Sequence, residues 1–194
     1  MEKTYVNLAQ AYVGECQARM RYTFFASIAK KEGYERVAEI FRVTADQEKE
    51  HASNLYKFIV KLAKKKANEG EIMLDQVPVV NVRGTTMENL QSAIEGENHE
   101  EHSMYPDFAK VAQAEGYPEI AAKMRAIAKA EGNHAKRYGM LLKLIQDEKM
   151  FSRDKEVNWI CRECGYAHKG KSAPVKCPSC DHPQSFYELE CTQY

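Results

Sequence analysis

Phe41-Arg42-Val43-Thr44-Ala45-Asp46-Gln47-Glu48-Lys49-Glu50-His51-Ala52-Ser53-Asn54-Leu55 is the stretch that decides the fold of this chain. Phe41, Thr44, Glu48, His51 and Leu55, followed by Phe58 and Leu62, recur at steps of three and four, the spacing of one helix face. On that face an acid and an imidazole stand where apolar side chains belong. The same pattern returns downstream as Ile120, Met124, Ile127, Glu131, His134, Tyr138, Leu141 and Ile145.

Working outward, helix formers run from Thr4 to Lys31, Glu35 to Lys65, Met87 to Glu115 and Glu119 to Glu148, with Pro106 the one proline inside them. Gly33 and Gly116-Tyr117-Pro118 stop the chain between the members of each pair, and Ala67 to Thr86, with Pro78 and a Val-rich run, reads as a long crossover. Lys64-Lys65-Lys66 suits the negative end of a helix dipole in solvent. Hairpin, crossover, hairpin gives an all-α four-helix bundle of ferritin-like topology.

The two hairpins repeat each other. A shift of 82 residues pairs Asn7 with Asn89, Leu8 with Leu90, Ala11 with Ala93, Gly14 with Gly96 and Glu15 with Glu97. A shift of 83 then pairs Tyr22 with Tyr105, Gly33 with Gly116, Arg42 with Arg125, Glu48 with Glu131 and His51 with His134. The second half therefore carries one extra residue between Glu97 and Tyr105, which predicts a π-bulge there.

The core faces of the first and third helices read Leu8, Ala11, Glu15, Ala18, Tyr22, Phe25, Ala29 and Leu90, Ala93, Glu97, Glu100, Met104. Five carboxylates and two imidazoles thus point inward. Glu15 lies 18 residues before Gly33 and Glu48 lies 15 after it; Glu97 and Glu100 lie 19 and 16 before Gly116, and Glu131 lies 15 after it. At about 1.5 Å of rise per residue these heights agree to roughly one turn. Left alone, such a layer would cost several kcal/mol per buried ion, and a pair of metal ions removes that cost. Oxygen-rich ligation with two imidazoles favours iron or manganese over zinc.

The repeat makes Glu15 and Glu97 equivalent terminal ligands, Glu48 and Glu131 candidates to bridge both metals, and His51 and His134 ligands of one metal each. Glu100 has no equivalent, since its counterpart is Ala18. A harder anion suits the ferric state and a neutral imidazole the ferrous, so Glu100 and His51 are expected to compete for one iron. Tyr22 and Tyr105 lie on the same core faces, placed either to donate to a bound oxygen species or to satisfy a local partner. Glu101, His99 and His102 fall toward solvent.

The tail carries Cys161-Arg162-Glu163-Cys164-Gly165-Tyr166 and Cys177-Pro178-Ser179-Cys180, two knuckles that close a tetrahedral sulfur site for zinc or iron. No βαβ pattern surrounds either pair, which argues against thioredoxin-type chemistry. Cys16 and Cys191 are left over and are expected to pack. Residues 1–150 are thus expected to form the bundle and 151–194 a small β-rich metal domain.

Lys plus Arg and Asp plus Glu each number 28, so the chain lacks the basic excess of a nucleic-acid binder. The first residues hold no apolar signal region, and no apolar run reaches membrane-spanning length. A cytoplasmic protein with neither membrane nor nucleic acid as partner is expected, and Cys-x-x-Cys pairs in that setting point to metal or redox chemistry.

Glu15, then Glu48 and His51, then Glu97 and Glu100, then Glu131 and His134, followed by Cys-x-x-Cys-Gly-Tyr and Cys-Pro-x-Cys, resembles the rubrerythrin family over the whole chain, bundle and rubredoxin-like tail together. The loop between the knuckles is shorter than in free-standing rubredoxins. The resemblance implies a di-iron centre in the bundle and one further iron, or zinc, in the tail. It further implies reduction of hydrogen peroxide to water, with electrons passing from a reductase through the tail, and a homodimer. No Gly-x-Gly-x-x-Gly run occurs, so NAD(P)H oxidation falls to a separate protein. Two rival readings remain: a ferroxidase or iron-storage protein on the same bundle, and a binding protein with a zinc ribbon and a merely structural bundle metal.

Overall fold

The structure, a computed structural model, describes residues 2–65, 70–75 and 77–191. Helix α1 (Lys3–Lys31) turns at Gly33 into α2 (Glu35–Lys65). Among the described residues of the crossover, the chain from Gly70 to Thr85 forms neither helix nor strand; Lys66, Ala67 and Gln76 lie outside the described residues. The second hairpin comprises α3 (Thr86–His99), a π-helical turn (Glu100–Met104), α4 (Tyr105–Ala114) and α5 (Pro118–Gln146). The extra residue of the repeat is therefore taken up as a π turn, within the interval that the register change marks.

Both hairpins turn by the same device. Gly33 and Gly116 each have φ of 82°, a conformation that costs glycine nothing. The next residue's N–H then reaches back five residues, Tyr34 to the Ala29 carbonyl and Tyr117 to the Ala112 carbonyl, both at 2.8 Å. Helix α3 starts on a capping box that the sequence reading passed over: Thr85 accepts from the Glu88 N–H, and Glu88 accepts from the Thr85 N–H.

Two apolar clusters fill the bundle. One gathers Tyr5, Leu8, Leu55, Ile59, Met124 and Ile127; the other gathers Phe25, Phe41, Leu90, Tyr138 and Leu142. The acidic layer separates them, so apolar burial on both sides clamps four helices at the height where charge would drive them apart.

The tail is a three-stranded antiparallel sheet in the order β2–β1–β3, from β1 (Ser152–Cys161), β2 (Ala167–Ser172) and β3 (Tyr187–Leu189). Its core is Trp159, Ala173 and Tyr187 with Cys161 and Cys177, too little apolar mass to hold a fold without a metal. It docks on the Gly33 end of the bundle. Tyr34 stacks on Phe151 with ring centroids 6.4 Å apart, Arg162 pairs with Glu39 at 3.0 Å, and Arg36 pairs with Glu188 at 3.4 Å. Among the described residues no helix is long and apolar enough to cross a membrane.

Candidate metal centres

Each bundle ligand arrives on its own helix face. Glu15 comes from α1, Glu48 and His51 from α2, Glu97 from α3, and Glu131 and His134 from α5. Glu15, Glu48, Glu97 and Glu131 are at most 1% exposed. Two groups form: Glu15, Glu48, His51 and Glu131 in one, and Glu48, Glu97, Glu131 and His134 in the other.

Glu48 and Glu131 belong to both groups, one oxygen to each. Nδ1 of His51 lies 2.9 Å from Glu48 Oε2 and 2.9 Å from Glu131 Oε1, while Nδ1 of His134 lies 3.1 Å from Glu48 Oε1 and 2.8 Å from Glu131 Oε2. Carboxylates split in this way would be placed to hold two ions between them. Short as these separations are, Glu15 Oε2, both oxygens of Glu48 and of Glu131, and His51 Nδ1 are buried without a hydrogen-bond partner. In each group the candidate ligand atoms all lie within 4.8 Å of one another, as ligand atoms do, and the donor set suits two iron or manganese ions.

The electrostatics agree. Burial first, then repulsion from Glu131 and Glu48, pushes Glu15 up to about 8 against the pull of His51. Burial likewise pushes Glu97 up to about 8, with Glu48 and Glu131 adding to it. Burial would depress His51 and His134, yet Glu131 and its neighbours outweigh it and push them up to about 12 and about 11. Without metal the layer retains protons; cations replace them.

Glu100 stands apart. It opens the π turn, lies outside both groups and is partly exposed. Burial of its carboxyl and the charges of Glu15 and Glu97 raise it well above the usual carboxylate range. Tyr22 donates to Glu97 Oε1 at 2.5 Å, and Tyr105 donates to Glu15 Oε1. The two bonds run crosswise, each tyrosine from one hairpin holding the terminal acid of the other. His99 and His102 are exposed, and Glu101 is half-buried with Oε2 3.3 Å from His102 Nε2. Arg137, which the sequence reading did not single out, donates to Thr44 Oγ1 at 3.0 Å and to Gln47 Oε1 at 2.8 Å, tying α5 to α2 one turn from the layer. Thr44 on an otherwise apolar face was the available signal.

In the tail, Cys161, Cys164, Cys177 and Cys180 come together as a second site. The Cys161–Cys180 and Cys164–Cys177 sulfurs are each 3.7 Å apart, close to the edge of about 3.8 Å of a tetrahedron with metal–sulfur bonds near 2.3 Å. The knuckles share a turn: Gly165 and Asp181 take positive φ, and their N–H groups bond the carbonyls of Cys161 and Cys177. Burial would raise the Cys177 thiol, but the Tyr187 hydroxyl and the N–H groups of Ser179 and Cys180 bring it down to about 6, toward the thiolate that ligates metal. Of the leftover cysteines, Cys16 is half-buried, but Cys191 is exposed rather than packed, because it follows the last strand.

Comparison with known proteins agrees with this geometry. The family described as Rubrerythrin matches residues 7–142, and the one described as Rubrerythrin, rubredoxin-like domain matches residues 159–188. The rubrerythrin of Porphyromonas gingivalis is 46% identical over 99% of this chain and 92% of its own length, and that of Clostridium perfringens is 46% identical over 96% of this chain and 94% of its own. A nigerythrin structure in a mixed-valence state superposes with a TM-score of 0.65 at 32% identity, covering 98% of this chain and 88% of that one. With a di-iron carboxylate cluster in the bundle and a rubredoxin-like four-cysteine site behind it, the chain belongs to the rubrerythrin family.

Proposed function

We propose that this protein is a cytoplasmic non-haem di-iron peroxidase that reduces hydrogen peroxide to water. Electrons come from an NAD(P)H-dependent reductase, directly or through an external rubredoxin, and enter at iron held by Cys161, Cys164, Cys177 and Cys180. The observation that carries this reading is Glu100, a seventh ligand-type side chain held at the edge of a complete six-residue cluster by a π turn.

Glu48 and Glu131, shared by the two groups, would hold both ions, with Glu15 in one group and Glu97 in the other. Two ferrous ions held there would supply the two electrons that, with two protons, turn one peroxide into two waters. Tyr22 and Tyr105 orient the terminal carboxylates and keep a phenolic proton beside each. Glu100 would offer a carboxylate on the Glu15 side of the layer, where it would compete with His51 as the charge of the site changes. A homodimer is the expected working form.

Protein with this function contains iron at both centres, is red, bleaches on reduction and regains its colour faster with hydrogen peroxide than with air. Faster reaction with oxygen than with peroxide would return the ferroxidase reading. A colourless, zinc-filled tail would remove the electron route. Oxidised and reduced structures with identical ligands would sink the exchange of Glu100 and His51.

A further inference from the structure

Of the six carboxylates and imidazoles in the two groups, His51 is the most exposed, its side chain 15% exposed against 3% for His134 and less for the four acids. Glu100 is different: it lines a cavity of about 350 Å³ between α1, the π turn and the crossover. Val77, Pro78 and Val80 of the crossover roof it, and Gln17, Arg21 and Ser103 make part of its wall polar.

Two glycines lie in that wall, Gly14 and Gly96. They occupy equivalent places in the two hairpins, each one residue before a terminal ligand, in the interior of a long helix where glycine is poorly suited. The space explains them. A Cβ on Gly14 would stand 3.9 Å from Glu100 Oε1, and one on Gly96 would stand 3.9 Å from Arg21 Nη2. Neither position is closed by a clash, so what the glycines preserve is open room rather than a tight contact. The π turn contributes to the same opening, since Glu100, Ser103 and Met104 all belong both to it and to the cavity lining. Arg21 sets a positive charge in the wall beside the acids, and its Nε is buried without a hydrogen-bond partner among the described residues.

We infer that this cavity is the route by which hydrogen peroxide reaches the Glu100 side of the two-metal centre, and that Gly14 and Gly96 set the width of that passage. The inference rests on the peroxidase reading for its substrate, and on geometry alone for the passage. A larger residue at either glycine narrows the passage without touching a ligand. Trimming the roof at Val80 widens it.

Two measurements test this. In the full-length chain freed of bundle metal, with helix content checked by circular dichroism, Glu100→Cys is labelled with methyl methanethiosulfonate and followed by peptide mass; adding Gly14→Met is expected to slow labelling about tenfold, and Gly14→Ala less, as a filled pocket excludes small groups. In the iron-loaded chain, Gly14→Met is expected to lower kcat/KM for hydrogen peroxide about tenfold while the tail is reduced as fast as before, and Val80→Ala to raise tert-butyl hydroperoxide relative to hydrogen peroxide. Unchanged peroxide kinetics in folded, iron-loaded Gly14→Met overturn the route, whatever the labelling shows, and move the entrance to the His51 side. Wild-type protein that does not turn over peroxide sinks the peroxidase reading instead, and the labelling rate then decides the passage by itself.

Discussion

The hairpin of α1 and α2 and the hairpin of α3, α4 and α5 are near copies that differ where it matters. Their turns share φ of 82° at Gly33 and Gly116, their tyrosines Tyr22 and Tyr105 are buried alike, and each gives one carboxylate shared by both groups and one imidazole. The first hairpin has Ala18, 2% exposed, where the second has Glu100. A regular helix leaves room there for a methyl group. With one more residue the second helix widens into a π turn, and a carboxylate can stand at the edge of the layer. A single-residue insertion thus adds a ligand-type side chain at the edge of the layer without disturbing the six that the two groups contain.

The largest effect should come from breaking what the halves have in common. Glu131→Ala removes an oxygen from each group and is expected to lower iron affinity of the bundle by about 100-fold or more, since even outer-shell losses cost 10–100-fold; metal analysis against the intact thiolate colour of the tail checks it, and a bundle that keeps both irons would refute the bridging role. Next, Ala18→Glu copies the acid of the second hairpin into the first without its π turn. Overpacking and a buried charge should cost about 1–3 kcal/mol, seen as a lower thermal midpoint of the metal-loaded protein; an unchanged midpoint would mean that the π turn is not what makes room.

Glu100→Ala makes the second hairpin resemble the first. Both irons should stay, while the preference for peroxide over oxygen falls by about tenfold, measured by stopped-flow reoxidation with each oxidant. Equal preference in variant and wild type would leave Glu100 without its assigned part. The smallest effects belong to Tyr22→Phe and Tyr105→Phe. Each removes one hydrogen bond to a terminal carboxylate and should cost about 1 kcal/mol, the two values agreeing within error if the hairpins are symmetric here; a clear inequality in chemical denaturation would break the symmetry.

Much of the site was legible because helix periodicity carries side-chain direction. Glu15, Glu48, His51, Glu97, Glu131 and His134 could be assigned to one face and one height from spacing and from distance to Gly33 and Gly116. The π turn was legible from the change of register between the repeats, which a single hairpin would never have shown. Less was visible wherever contact crosses between helices. The spacing placed Tyr22 and Tyr105 on the core face but not on the acids of the opposite hairpin, and nothing local marked Arg21 as a wall of the cavity or Gly14 and Gly96 as its opening.

By itself the sequence determined the helices, their order, the acid layer and the two cysteine knuckles, because each depends on residues close together in the chain or on a repeat that can be counted. Only the tertiary structure decided which oxygen faces which imidazole, that Glu100 looks into a cavity, and that the tail sits at the Gly33 end through Tyr34, Glu39 and Arg162. Those outcomes depend on how separate surfaces meet. Packing between helices is set by the shape of every side chain in the contact at once, and no periodicity along one strand of sequence contains it.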